Sequence, residues 1–401
     1  MTLDLTRIAG QIEAMGVHLS QSAGEGRQRL DRAQTRYERE LKDLDPLRAK
    51  LDVSRGKVTW MPAGIHEQWD KTYPLPRPPE DFLVLATDGS QIDLERHAPA
   101  SCYLINIGQV MLRYGNQPDA SLSSQASLFY RNEDLILVDP TNLNQLVSFD
   151  AKIMKLKRGI MEAQGLADLA GGAPRVPSLA LLDGTLIMWD LGGRDIRPFI
   201  RDQVLEAFLE ALDRLSQIPS LAMASYISNP RATDVVDALR VAECPQSEPN
   251  CDRYCRYRQP SESRPCDHVA EGVRDADLFR PRLGPGERSP LFESNSRILE
   301  SYREHKVHFF YLNAGDELAR VEVPQWVARD PERLKLAHAL VFDQVSRGQG
   351  YPVALMEAHE QAVVQAGDRQ AFWALVEEVM AEGHLHASAT SKAQSKRIRG
   401  T

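Results

Sequence analysis

Phe82-Leu-Val-Leu-Ala-Thr-Asp88-Gly-Ser90 is the stretch on which the reading of this chain turns. Apolar and small residues lead into an aspartate, and a Gly-Ser pair follows. A continuous apolar run ended by turn residues predicts a strand buried on both faces. Asp88 is then expected at the strand's carboxyl end, where open α/β sheets place their ligands. The same grammar recurs at Ser178-Leu-Ala-Leu-Leu-Asp183-Gly-Thr185. One Asp-Gly-Ser is an ordinary turn, and Asp88 and Asp183 could each simply cap one. Two of them after matching apolar strands suggest a shared acidic site.

Working outward, Cys102–Gly108 and Leu135–Val138 read as further strands, in an antiparallel meander after the first. From Asn144 to Leu169 the pattern is helical, through Ile153, Met154, Leu156, Ile160 and Met161, and Gly171-Gly172 with Pro174 end it. Glu162 lies on this helix, one turn beyond Arg158. A helix over 195–215, a buried strand over 221–227 and a helix over 232–241 follow. Val307–Leu312 and Leu318–Val323 read as paired strands, and helices over 331–346, 353–366 and 368–382 complete the pattern. Upstream, residues 1–75 form a helical arm. Leu30, Ala33, Tyr37 and Leu41 give it a narrow apolar stripe that packs on the body or, alternatively, on a partner. Pro74-Leu-Pro-Arg-Pro-Pro79 connects the arm to the main domain, taken as 80–385. A basic tail over 386–401 is expected to be disordered.

The 401 residues are 42% hydrophobic and 26% charged, an ordinary globular composition. Lacking an apolar run near membrane length and a secretory leader pattern at residues 1–7, the sequence predicts a cytoplasmic protein with no membrane span. A net charge of −8 argues against a general nucleic-acid coat. It leaves room for a nuclease, whose acidic centre is offset by bound metal and local basic residues.

A meander opening on an Asp strand, then a helix with a Glu, then a strand ending in Asp, has the ribonuclease H-like layout: a mixed sheet flanked by helices. Carboxylates gathered from two strand ends and a helix supply the oxygen ligands that hard Mg²⁺ or Mn²⁺ takes. Two such ions can activate water and stabilise the leaving oxygen of a phosphodiester.

Farther on, Gln349-Gly-Tyr351-Pro352-Val-Ala-Leu-Met-Glu357-Ala-His359-Glu360 joins a Gly-Tyr-Pro turn to a helix carrying Glu-Ala-His. With the two Asp-Gly-Ser/Thr strands and Arg320-Val-Glu-Val-Pro-Gln-Trp326, it closely resembles the NurA nuclease family, from about residue 80 to the helix after His359. The resemblance implies a Mn²⁺- or Mg²⁺-dependent deoxyribonuclease, a 5′–3′ exonuclease to which single-strand endonuclease activity could be added. It also implies a homodimer that resects DNA ends in double-strand break repair with a hexameric ATPase of HerA type. Carried over residue by residue, the catalytic set is Asp88, Glu162, Asp183, Tyr351 and His359. Asp88, Glu162, Asp183 and His359 hold the metal, and Asp168 is the fallback for the helix acid. On the residues alone, His359 could be a packing histidine and Tyr351 could pack on Pro352. The competing function is a non-catalytic DNA-end clamp or adaptor for the ATPase.

Residues 242–290 depart from the family pattern and read as a Cys-rich insertion with little apolar core of its own. Cys244, Cys251, Cys255 and Cys266 are separated by six, three and ten residues, with His268 nearby. Four thiols so close suit Zn²⁺ or an iron–sulfur cluster, or are incidental reduced cysteines of a polar loop. Arg253, Tyr254, Arg256, Tyr257 and Arg258 interleave base-stacking and phosphate-binding side chains, as a single-strand path would.

Overall fold

The computed structural model describes residues 6–95, 98–193, 195–257 and 264–383. The expected tail over 386–401 and Arg258 lie outside the described residues. The chain divides into two compact units. One comprises Met1–Leu75, Ile227–Leu299 and Val307–Val321, the other Pro76–Tyr226, Glu300–Lys306 and Glu322–Thr401. Residues 1–75 and the 242–290 stretch fall in the same unit.

The unit that begins at Pro76 is built on β1 (Phe82–Ile92), β2 (Tyr103–Tyr114), β3 (Asp119–Phe129), a hairpin of β4 (Ile136–Asp139) and β5 (Asn142–Ser148), β6 (Ser178–Asp183) and β7 (Leu221–Ile227). Its helices are α1 (Ala151–Gly172), α2 (Pro198–Ser216), α3 (Pro331–Arg347), α4 (Val353–Ala362) and α5 (Ala366–Glu382). The sheet runs in the order β7-β6-β1-β2-β3. The strands β1, β2 and β3 are antiparallel neighbours, whereas β6 lies parallel to β1 and β7 parallel to β6. Leu83, Val84, Leu85 and Ala86 are wholly buried, as an apolar run covered on both faces requires.

Three sequence expectations need correction. The strand β1 does not turn at Gly89-Ser90 but continues to Ile92. Its parallel partner β6 is what stops, the last paired positions being Thr87 and Leu182, and beyond them β1 is held by β2. The third strand of the meander is β3, not Leu135–Val138, which pairs with β5 in a separate hairpin. The strand β3 is largely exposed, and its alternation of Ala120, Leu122, Ala126 and Leu128 with polar residues is weak, because two of the four are alanine and Ser124 interrupts them. The helix expected from Asn144 begins at Ala151, because the Asp150 carboxylate accepts from the Ile153 amide at 2.8 Å and caps it.

Alternation along the strands assigns two faces. Gly165 of α1 lies against the side chains of Ile107, Gln109 and Thr87, whereas Gly108 lies against the backbone of α4 at Ala358 and Ala362. So α1 and α4 cover opposite sides of the sheet.

In the other unit, the helix Thr6–Glu40 buries Ala33 and Tyr37, with Leu30 and Leu41 partly buried against the same core, so the arm's stripe packs on its own unit. Tyr37 stacks on Trp69 at 5.4 Å between ring centres, and its hydroxyl donates to the Trp69 carbonyl at 2.7 Å. Val269, Val273, Leu278, Phe279 and Leu283 join this core. The expectation of a 242–290 stretch with little apolar core therefore fails for its second half, where these few large side chains are enough to anchor it. No helix among the described residues is long and apolar enough to cross a membrane.

Candidate active site

The site grows from the point where β6 ends beside β1. Asp183 is the last residue of β6 and Asp88 follows the last pair of the parallel register, so the two carboxylates leave adjacent parallel strands at one level. Past that level β1 has lost its parallel neighbour. Side chains from both faces can therefore meet at its open edge.

Asp88 and Ser90 point to the α4 face. The Ser90 hydroxyl and the Asn106 amide both donate to the Ala362 carbonyl, tying down the carboxyl end of α4. One turn earlier, His359 Nδ1 lies 2.8 Å from Asp88 Oδ2. Thr87 and Gly89 point to the α1 face. The Thr87 hydroxyl donates to the Glu162 carbonyl at 2.9 Å. A β-carbon on Gly89 would stand 2.5 Å from Glu162 Oε1 and 2.7 Å from Arg158 Cγ, so only glycine lets α1 bring these side chains against the strand.

Tyr351 reaches the site from the turn before α4, where Gln349 takes a left-handed backbone with φ of 54°. Its hydroxyl donates to Asp183 Oδ1 at 2.7 Å, and its ring packs edge-on against Tyr226, 5.4 Å between centres. The Asp183 turn is held from below. Glu322, only 1% exposed, accepts from the Thr185 hydroxyl at 2.8 Å and from the Leu186 amide at 2.9 Å.

Glu162 is the electrostatic pivot. Burial pushes its carboxyl up to about 8, Arg158 pulls it back, and the negative charges of Asp88 and Asp183 add to the rise. Arg158 Nε stands 3.2 Å from Glu162 Oε1. Asp168, the fallback acid, instead faces Arg214 at 2.6 Å and is exposed. The structure thus brings Asp88, Glu162, Asp183, Tyr351 and His359 into one neighbourhood and leaves Asp168 out.

The three carboxylates are each engaged by a separate partner: His359, Arg158 and Tyr351. Among the described residues, no three His, Cys, Asp or Glu side chains are already gathered to hold a metal ion. By donor chemistry the set fits a hard cation, with carboxylate oxygens from three elements and one imidazole. Sequence reasoning passed over two residues that shape this site. Arg158 was noted only as a neighbour of Glu162, and Glu322 had no role. A glutamate inside the fully buried strand Leu318–Pro324, between Val321 and Val323, was the available signal for the second.

The cysteines lie in the other unit, where Cys244, Cys251, Cys255 and Cys266 line a single cavity; no disulfide joins cysteines among the described residues. Nearby, Tyr257 is 89% exposed and the Arg253 guanidinium lies 5.3 Å from the Tyr254 ring centre.

Residues 82–364 match the NurA domain. No curated protein matches the chain. Among solved structures, the NurA nuclease from Sulfolobus solfataricus is 14% identical, with 78% of this chain and 88% of that chain covered and a TM-score of 0.46. A structure of NurA is 11% identical, covering 84% of this chain and 94% of that one, with a TM-score of 0.40. A structure of NurA bound to dAMP and manganese is 13% identical, covering 74% and 87% respectively, with a TM-score of 0.35.

Proposed function

The chain belongs to the NurA domain family, and from that premise we propose that it is a DNA nuclease that uses Mn²⁺ or Mg²⁺ to hydrolyse phosphodiester bonds at the open edge of β1. The observation that carries this reading is the placement of Asp88 and Asp183 at one level of adjacent parallel strands, with Glu162 packed against Gly89, the residue that follows Asp88. Crowding like charges is unfavourable unless a cation or proton offsets it. A packing role gives no reason to build it.

Asp88, Glu162, Asp183 and His359 are the donors that would hold the cation. When bound, a divalent cation supplies Lewis-acid polarisation of the phosphoryl oxygens and activation of the attacking water. The chain's own residues do the positioning. Tyr351 orients Asp183 through its hydroxyl. The His359 bond fixes Asp88. Arg158, with its Nε 3.2 Å from Glu162 Oε1, holds that carboxylate against the strand.

The finer reading takes the fold as ribonuclease H-like, supported by a strand order in which three antiparallel strands adjoin two parallel ones. It takes the activity as 5′–3′ exonuclease with added single-strand endonuclease action, resecting DNA ends in double-strand break repair. The working form would be a cytoplasmic homodimer acting with a HerA-type hexameric ATPase. The test is cleavage of end-labelled linear DNA with and without Mn²⁺, the Asp183→Asn chain serving as control. Metal-dependent cleavage lost in the variant is expected. DNA bound but left intact by the unmodified chain in Mn²⁺ and in Mg²⁺ would overturn the enzyme and leave a clamp or adaptor.

A further inference from the structure

Cys244, Cys251, Cys255 and Cys266 come from four separate places: the end of the helix Asp234–Glu243, the start of the short helix Cys251–Tyr254, the residue after it, and the residue before the short helix Asp267–Ala270. All four nevertheless line one cavity of about 130 Å³. No carboxylate or imidazole lines it among the described residues, and its remaining walls are largely apolar, Val58 and Trp60 among them. A pocket whose metal-binding donors are all thiols selects a soft, thiophilic occupant.

The spacing of the thiols and the room between them bear on which one. Four thiolates on one zinc ion stand about 3.8 Å apart, given zinc–sulfur bonds near 2.3 Å in a tetrahedron. No three of these side chains are gathered to hold a single ion. The cavity is also roughly ten times the space that one water molecule requires. A polynuclear group resolves both facts, because its ligands bind different metal atoms and stand farther apart.

We infer that this cavity holds an iron–sulfur cluster ligated by Cys244, Cys251, Cys255 and Cys266. Such a cluster with four thiolates is an anion, and the surroundings answer with positive charge. Arg240 lines the cavity and stacks on Trp60 at 3.9 Å, and Arg264 lies 5.2 Å from the same ring centre. Lys50 donates to the carbonyls of Ala242 and Cys244 at 3.0 and 2.5 Å, close to the first ligand. Arg240 is in part balanced by Asp237 and Asp267, at 3.3 and 3.2 Å. The cluster's role is structural. The two short helices beside the later cysteines have four residues each, too few to be stable by themselves, and metal–sulfur bonds from Cys251, Cys255 and Cys266 fasten them to the longer helix that ends at Cys244.

The experiment uses the full chain purified without oxygen from iron-replete cells. The expected result is iron and acid-labile sulfide in equal amounts, with a visible absorption that bleaches on reduction. Cys255→Ser and Cys266→Ser should each lose most of that absorption. Cys102→Ser, altered at a buried cysteine in the other unit, should keep it, as should Asp183→Asn. Zinc without iron, neither metal, or a chromophore that survives both ligand substitutions would overturn the inference. Metal and sulfide analysis of the unmodified chain decides the matter even where a serine variant fails to fold.

Discussion

Replacing Gly89 by alanine tests the geometry of the acidic site without removing any functional group. The added methyl would stand 2.5 Å from Glu162 Oε1 and 2.7 Å from Arg158 Cγ, whereas ordinary contact begins near 3.4 Å. Glu162 must therefore retreat by about 0.9 Å and Arg158 must take another rotamer. Both are side chains at a half-open edge, so the fold should survive with a loss of about 1–2 kcal/mol in unfolding free energy, the lower part of the overpacking range. The chemistry should suffer more, since a misplacement of about 1 Å at a reacting centre costs about 10²-fold in rate. The assay pairs single-turnover cleavage of labelled DNA in Mn²⁺ with a urea melt of the same preparation. Gly159→Ala on α1 is the control: nothing lies within 4 Å of its added methyl, and the change should stabilise the helix by up to about 1 kcal/mol. Gly89→Ala cleaving at the unmodified rate while Glu162→Gln is inactive would refute the claim that the close approach of α1 sets the site.

Asp183→Asn should abolish cleavage while leaving the melt unchanged, because it removes a ligand's charge and keeps its shape; undiminished Mn²⁺-dependent cleavage would sink the assignment. Tyr351→Phe should lower kcat about tenfold, the small end of what a hydrogen bond to a charged group contributes. That figure is contradicted if only KM moves. Asp237, 6% exposed beside Arg240, has its carboxyl pushed from 3.8 up to about 6, first by burial. A raised acid contributes stability that is present below its unfolded value and lost as pH rises through the folded one. Relative to Asp237→Asn, the chain should therefore lose up to about 3 kcal/mol between pH 3.8 and a little above 6. A stability difference that stays flat over urea melts across this range would contradict it.

The buried strands were legible because burial on both faces writes a continuous apolar run. Phe82–Ala86, Ser178–Leu182 and Leu221–Tyr226 stand in the sequence much as they stand in the sheet. The strand β3 was not legible, for the complementary reason: it is largely exposed, pairs through its backbone with β2, and needs no apolar face. Leu135–Val138 took its place in the reading because local propensity cannot say which partner a strand finds. The later part of 242–290 misled in the same way. Charged and proline-rich by count, it still places Phe279 against Tyr311 at 5.2 Å, and a few large side chains suffice where the rest of the core comes from elsewhere in the chain.

The candidate site was legible as a list of residues and not as an arrangement. The sequence placed Asp88 at a strand end followed by a turn, and the structure places it inside a strand, yet the consequence for chemistry survives. What an acidic site needs is a break in the sheet where side chains can converge, and a break forms when either neighbour stops. Here it is β6 that stops, at Asp183, and β1 that runs on. This changes the meaning of Gly89. In a turn it would be there for backbone freedom; in a continuing strand it is there because α1 brings Glu162 against it. On the function proposed here, it also accounts for acids from opposite faces of one sheet serving one centre. Past Thr87, β1 presents an edge instead of a wall, so Glu162 on one face and His359 on the other approach the same Asp88 neighbourhood. Period-two alternation still separates the two faces of β1, Asp88 toward α4 and Gly89 toward α1, and it is the missing side chain of Gly89 that lets Glu162 come in from its own face.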